Sequence, residues 1–135
     1  MEVDWRFATG VAQVLLDINN DTASNRVYIE KTSSNNLDMV VFSDGSIVNN
    51  QGQSASAYSG IQKIAYAYKT DDFELYRNGS SISANTSGSL ASLGTLSFVD
   101  FGQSRASTSQ ANMWIRAVAL YKTRLTNDQL ADLTS

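Results

Sequence analysis

The stretch from Ile61 to Ala84, IQKIAYAYKTDDFELYRNGSSISA, constrains the fold more than any other. From Ile61 to Tyr68 the bulky residues Ile64, Tyr66 and Tyr68 fall on one side of an extended chain, and Ala65 and Ala67 on the other. Period two of this kind belongs to a strand. Thr70, Asp71 and Asp72 interrupt it, and Phe73 to Tyr76 restarts it. Asn78-Gly79 then supplies the pair that accepts positive φ at both central positions of a type I′ hairpin turn. Ser80 to Ala84 is the expected return strand. Such a three-stranded antiparallel meander with one apolar face is not stable alone, so the rest of the chain must cover it.

The chain has 135 residues, 42% of them hydrophobic, which suits one globular domain over 1–135. Cysteine is absent, so no disulfide or thiolate metal site can form. Histidine is absent too, which removes the commonest general base and zinc ligand. A net charge of −3 without any run of Lys or Arg argues against a nucleic-acid partner or an anionic membrane surface. The start, MEVDWRF, is acidic and lacks a signal peptide's apolar core, and no stretch nears the ~20 apolar residues of a membrane span. The expectation is a soluble chain, or a piece of a larger one, with no membrane insertion.

Taken in order, the chain reads as strands between polar turns. Val3 to Ala8 is a short strand. Val11 to Ile18 sets Ala12, Val14, Leu16 and Ile18 on one face, with Gln13 and Asp17 on the other, as in a half-buried strand. After the polar loop Asn19 to Asn25, Arg26 to Thr32 turns Val27 and Ile29 inward and Tyr28 and Glu30 outward. Leu37 to Ser43 is more continuously apolar, Asp44-Gly45 is a second hairpin pair, and Ser46 to Asn49 is its partner. Gln51 to Ser59 and Asn85 to Leu93 read as loops and Thr95 to Phe101 as a strand. Gln103 to Asn112 is another loop, and Met113 to Tyr121, MWIRAVALY, is the longest apolar run, suggesting burial on both faces. Thr126 followed by Gln129 forms a capping box, and Leu125 and Leu130 are spaced for a hydrophobic staple. One short C-terminal helix should therefore pack on the β core through Leu125, Leu130 and Leu133. About ten short strands and one helix indicate an all-β, two-sheet antiparallel sandwich.

Two stretches carry a family resemblance. Ala-Tyr-Ala-Tyr-Lys (65–69), an acidic turn and Phe-Glu-Leu-Tyr-Arg-Asn-Gly (73–79) are followed by Trp-Ile-Arg-Ala-Val-Ala-Leu-Tyr (114–121) and Arg-Leu-Thr-Asn-Asp-Gln-Leu (124–130). This pattern resembles the concanavalin A-like, laminin G-like jelly roll, in the form found in bacteriophage virion proteins such as tail fibres. The resemblance spans Phe7 to Thr134. It implies a jelly-roll sandwich whose concave face or rim loops bind carbohydrate, carried on a virion and recognising a host-surface glycan or receptor, commonly as a homotrimer contacting other virion subunits. A purely structural assembly role is the alternative. The enzyme branch of that superfamily sets three acidic residues alternately on one strand to flank a glycosidic bond. Asp71, Asp72 and Glu74 are the nearest acidic cluster, and two of them lie in the expected turn, so no catalytic residue is assigned and an enzyme is not expected.

Candidate carbohydrate contacts are Tyr58, whose ring could stack on a pyranose, and the polar loop residues Asn20, Asp21 and Asn25. No cofactor is required by the sequence. Calcium is the ion that the oxygen-rich cluster Asp17, Asn19 and Asp21 would take, although Asn/Asp clusters are also ordinary turn chemistry. Trp5 and Trp114 read as core or interface residues. Arg116, a charge inside an apolar strand, should meet a carboxylate or carbonyls. Ala65 and Ala67 could floor a ligand groove or accept the bulky residues of a packed neighbour.

Overall fold

The computed structural model describes residues 1–5, 10–54 and 60–135. Ten strands and one helix follow one another: β1 (Glu2–Trp5), β2 (Gln13–Asn19), β3 (Arg26–Lys31), β4 (Asn36–Ser43), β5 (Ser46–Ser54), β6 (Gly60–Lys69), β7 (Asp72–Arg77), β8 (Ser80–Asn85), β9 (Phe98–Phe101), β10 (Met113–Ala117) and α1 (Asn127–Thr134). They form two five-stranded antiparallel sheets, ordered β10-β1-β6-β7-β8 and β5-β4-β3-β2-β9. The result is the two-sheet sandwich with one short C-terminal helix that the periodicity predicts.

The hairpin pairs act as read. Asp44 and Gly45 take φ of 51° and 77°, and Asn78 and Gly79 take 48° and 81°, the left-handed values that a type I′ turn needs. Between the sheets lie Val3, Trp5, Leu15, Leu16, Ile29, Leu37, Met39, Ile64 and Leu75. Tyr66 and Tyr68 face inward with them, their rings stacked at 5.5 Å. Trp5 is thus a core residue, its indole Nε1 donating to Gln13 Oε1 at 3.4 Å; truncating a buried side chain of this size costs ~3–5 kcal/mol. At one end the interior is polar: Asn49 donates to the Tyr66 hydroxyl (3.2 Å) and accepts from Asn85 (2.8 Å), and Gln51 donates to the Ser83 carbonyl. These amides tie β5 to β8.

On the outer side of the first sheet, Ala65 and Ala67 leave room for the helix. Ala67 and Tyr76 pack against Leu130, with Ala65, Leu125 and Ala131 around them. The small face of β6 is therefore a helix seat, and the packed-neighbour reading holds there. Thr126 caps the helix: its hydroxyl accepts from Gln129 N, and the Gln129 side chain accepts from Thr126 N. A cap of this kind is worth about 1 kcal/mol.

Four sequence readings need correction. Strand β2 is buried on both faces: Leu15, Leu16, Val14, Gln13, Asp17 and Asn19 are all buried, because a bulge between Val14 and Leu16 turns Leu15 into the core and a later loop covers the outer face. Strand β5 continues through Gln51 to Ser54 beside β4, where a loop was expected. The run Met113 to Tyr121 is strand only to Ala117, and far from being buried on both faces it leaves Trp114 70% and Leu120 58% exposed. Leu133 is 45% exposed rather than sealed against the core. Arg116 does meet a carboxylate, with Nε 3.3 Å from Glu2 Oε1, but on an exposed surface.

Candidate functional site

Strand β3 reads Arg-Val-Tyr-Ile-Glu-Lys, and with Val27 and Ile29 in the core the alternation sends Arg26, Tyr28 and Glu30 to the outer face of the second sheet. On β2, beside them, Asp17 also faces out, paired across the ladder with Tyr28. A lone carboxylate on that buried strand would be costly, and Arg26 answers it with both Nε and Nη2, Nε lying 3.3 Å from Oδ1. Bidentate geometry of this kind fixes a guanidinium in plane. The Arg26 guanidinium also lies 4.1 Å over the Tyr28 ring, a cation–π contact, and Tyr28 stacks on Phe42 at 6.3 Å.

The loop after β9 closes this network from above. Gly102 N donates to Leu15 O, and Val14 N donates to Ser109 O at 2.7 Å, so residues 103–108 arch over β2. At the crest, Arg105 N donates to Asp17 Oδ2 at 2.9 Å. Asp17 is fully buried and thus holds a strand arginine and a loop arginine together. The arch is braced internally, with Ser104 N bonded to Thr108 O and the Ser104 and Thr108 hydroxyls 2.8 Å apart. Between arch and sheet lies a small cleft of about 200 Å³, lined by Arg26, Tyr28, Glu30, Ser104, Arg105 and Thr108 among others. Arg105 Nη1 reaches the Asp21 carbonyl at 3.4 Å, while its Nε is buried without a hydrogen-bond partner among the described residues. A buried donor left unmet costs ~1–3 kcal/mol, and Arg105 is among the residues that line the cleft.

Acidic groups balance the arginines. Glu30 opposes Asp38 on β4, and burial pushes the Glu30 carboxyl up, the neighbouring Asp38 charge adds to this, and Arg26 opposes it. Burial raises the Asp38 carboxyl as well. The Tyr28 hydroxyl is pushed up to about 12, first by burial and then by Glu30, so it is a neutral donor at physiological pH. Asp38 lies across Gly52, where a Cβ would come 1.9 Å from Asp38 Oδ1; only glycine fits that approach.

The sequence-derived site residues fall around this cleft rather than in it. Tyr58 lies outside the described residues. Asn20, Asp21 and Asn25 form the tip of the β2–β3 hairpin. Asn20 Oδ1 accepts from the Thr22 N–H and hydroxyl, Asn25 Oδ1 accepts from Asp44 N, and Asp21 takes φ of 65°. The proposed calcium set is divided among separate partners: Asp17 binds Arg26 and Arg105 N, and Asn19 accepts from Asp21 N and donates to Asp100. Among the described residues no three His, Cys, Asp or Glu side chains are placed to share a metal ion. The turn cluster is spent elsewhere too, with Asp72 paired to Arg124 at 2.8 Å and Glu74 accepting from Ser81 and Asn127. Sequence reading turned Tyr28 and Glu30 outward without giving them a role, and it passed over Arg26 and Arg105. The available signal was an arginine alone in a Ser/Thr/Gln loop, together with the alternation of β3.

No family model and no curated protein matches the chain. Among solved structures it is similar to the CBM40 module of the Ruminococcus gnavus IT-sialidase bound to α2,3-sialyllactose, with a TM-score of 0.72 over 99% of this chain and 80% of that one at 17% identity. The same module bound to α2,6-sialyllactose gives 0.69 over 99% and 80%, also at 17% identity. A leech intramolecular trans-sialidase complexed with 2,7-anhydro-Neu5Ac gives 0.72 at 14% identity, where 99% of this chain spans only 22% of that one. At such identities the likeness shows the fold. Of the resemblance drawn from the two sequence motifs, it supports the β-sandwich, which is similar to those of sialidase carbohydrate-binding modules; the phage-virion setting rests on the motifs alone.

Proposed function

We propose that the chain is a non-catalytic glycan-binding module that holds a carboxylated sugar, of the sialic acid class, in the cleft between β3 and the 103–108 arch. The observation that carries this reading is the placing of two arginines, Arg26 with its guanidinium clamped by Asp17 and Arg105 on the arch, in the lining of one cleft. Asp17 fixes the Arg26 guanidinium and, through the backbone N–H of Arg105, the loop that carries a second guanidinium; a pair of arginines placed in this way suits an anion, since Arg forks match carboxylates bidentately. The Tyr28 ring offers an apolar face, and the Ser104 and Thr108 hydroxyls offer neutral bonds to sugar hydroxyls. A cleft near 200 Å³ is smaller than the 300–1,000 Å³ typical of drug-sized ligands, which suits one sugar ring with the remainder of the glycan in solvent. Sandwich likeness to modules whose structures contain sialyllactose supports the same class of ligand.

A non-catalytic role follows from the use of the acids. Asp17 is committed to Arg26, and Glu30 and Asp38 stand side by side on adjacent strands rather than across an open groove from each other. The placement on a phage particle, the homotrimer and the contacts with virion subunits rest on the wording of the sequence motifs, and the glycan reading stands without them.

Titration calorimetry with 3′-sialyllactose, 6′-sialyllactose and lactose tests the proposal. Either sialylated ligand should bind, lactose should not, and no hydrolysis should accompany binding. Arg105→Ala should weaken binding tenfold or more, about 1.4 kcal/mol, while leaving stability within about 0.5 kcal/mol, because only the backbone N–H of Arg105 holds Asp17. Equal heats from lactose and sialyllactose would sink the carboxylate assignment.

A further inference from the structure

The cleft under the 103–108 arch is bordered by carboxyls as well as by arginines. The alternation of β3 sets Glu30 in line with Arg26 and Tyr28 on the outer face, and Glu30 lines the cleft together with Arg105. Asp38 stands directly opposite Glu30 on β4. Its carboxyl rests on Gly52 of β5, in space that no larger residue leaves free. The cations nearby are committed elsewhere. Arg26 is clamped by Asp17 through Nε and Nη2, while Arg105 gives its backbone N–H to Asp17 and Nη1 to the Asp21 carbonyl. Among the described residues neither Glu30 nor Asp38 has a salt-bridge partner.

The surroundings of Glu30 therefore favour its neutral form. Facing it are Asp38 from β4, Val14 from β2 with Asp17 further along that strand, Tyr28 and Arg26 from its own strand, and Arg105 from the arch. Burial raises the Glu30 carboxyl, the Asp38 charge adds to the rise, and Arg26 opposes it. A carboxylated ligand in a cleft of about 200 Å³ brings a further negative charge close to Glu30, which disfavours ionisation again. Once protonated, Glu30 ceases to repel the ligand and offers it an O–H donor.

We infer that binding of an anionic glycan in this cleft is coupled to the uptake of one proton at Glu30, so that the site holds its ligand more tightly in acidic surroundings. The inference rests on the glycan reading of the cleft and states how that site is regulated. Coupling of this kind is reciprocal: a ligand that favours the protonated acid is itself favoured by protonation. The gain is complete below the pKa of Glu30 in the free protein, which is raised from 4.5, and is lost as pH rises through the still higher value beside the ligand. The guanidiniums stay charged throughout. The Tyr28 hydroxyl, pushed up to about 12, stays neutral. Asp38 stands outside the cleft lining and contributes less.

Titration calorimetry of the full chain with 3′-sialyllactose, repeated from about pH 7.5 to about pH 5, tests the coupling. Affinity should rise about fivefold over that range, the low end of ordinary coupling, because Glu30 is only half-buried. At intermediate pH, heats in two buffers of different ionisation enthalpy should show net proton uptake. Glu30→Gln should bind near neutral pH as tightly as the parent does in acid, and its profile should be flat. Asp38→Asn should flatten the profile only in part. A parent profile that is flat or falls with acidification overturns the inference and leaves the glycan site standing. So does a pH dependence that survives in Glu30→Gln, or a complete loss of binding in that variant, which would make the ionised carboxylate a ligand contact. The proton count needs no variant and decides the matter even where Glu30→Gln does not fold. No binding by the parent at any pH removes the glycan reading and the inference together.

Discussion

The cleft over β2 and the apolar slot beside β6, a cavity of about 600 Å³ bounded by Tyr66, Tyr68 and Leu120, differ in what lines them, and the difference says how firmly each is built. In the cleft the free group is a guanidinium N–H, among side chains already fixed by a buried carboxylate. Its neighbours are hydroxyls, a phenol and the Glu30 carboxyl, whose pKa is raised by burial, a setting that fits the anionic, hydroxylated ligand proposed for it. The slot is lined by aliphatic and tyrosine side chains, Ile29, Met39, Tyr66, Tyr68 and Leu120 among them. The cleft is preorganised and the slot is open, so changes at the two should differ first in how much stability they cost.

The largest expected effect tests that asymmetry. Asp17→Ala leaves the Arg26 guanidinium, only 16% exposed, without its counter-ion and Arg105 N without its acceptor. Breaking a buried pair by deleting one partner costs ~3–5 kcal/mol, and urea unfolding should show a loss of that order. Leu120→Ser at the slot rim, 58% exposed in the structure, should change stability by no more than about 0.5 kcal/mol. Comparable losses from both would mean that the slot is as tightly packed as the cleft and that the comparison fails.

Next in size is Gly52→Ala on the outer face that carries the cleft. The new methyl would meet Asp38 Oδ1 at 1.9 Å and the Leu37 carbonyl at 2.8 Å, an overpacking that costs ~1–3 kcal/mol. The Asp38 carboxylate can swing away but the Leu37 carbonyl cannot. In an Asp38→Ala background the loss should therefore shrink without vanishing, as a double-mutant cycle would show. A fully additive cycle would mean that Asp38 does not rest on Gly52.

What the sequence disclosed, and what it withheld, follows the range of the interactions. The meander, the Asp44-Gly45 and Asn78-Gly79 turns and the Thr126–Gln129 cap are set by neighbours a few residues apart, and all are present in the structure. The alternation of Arg26, Tyr28 and Glu30 was equally legible. Their use was not, since Arg105 meets Asp17 across 88 positions of chain through a loop whose local composition gives no sign of where it folds. The same arch buries β2 on its outer face, which its own pattern marks as half-exposed. Met113 to Tyr121 misled for the opposite reason: an apolar run announces burial, but its strand pairing stops at Ala117 and leaves Trp114 and Leu120 exposed. Register between distant strands, and hence the slot, lies beyond any local pattern.

The smallest effect is a pH dependence confined to the cleft. Glu30 and Asp38 carry carboxyls raised by burial, and the Asp38 charge adds to the rise at Glu30. For an acid whose folded pKa lies above its unfolded one, the folded state binds the proton more tightly. Its contribution to stability is complete below the unfolded value, 4.5 for Glu30, and is lost as pH rises through the folded value. Glu30→Gln removes this loss. Its stability relative to the parent should be greatest near pH 7 and should decline as pH falls toward 4.5, by an amount kept small because both carboxyls are partly solvated and screened. Leu120→Ser, which changes no titrating group, should show a flat difference over the same range. A Glu30→Gln advantage that instead grew on acidification would mean that Arg26 outweighs burial at Glu30, and the cleft would then hold its acids as counter-ions to the arginines rather than as groups a carboxylated ligand must tolerate.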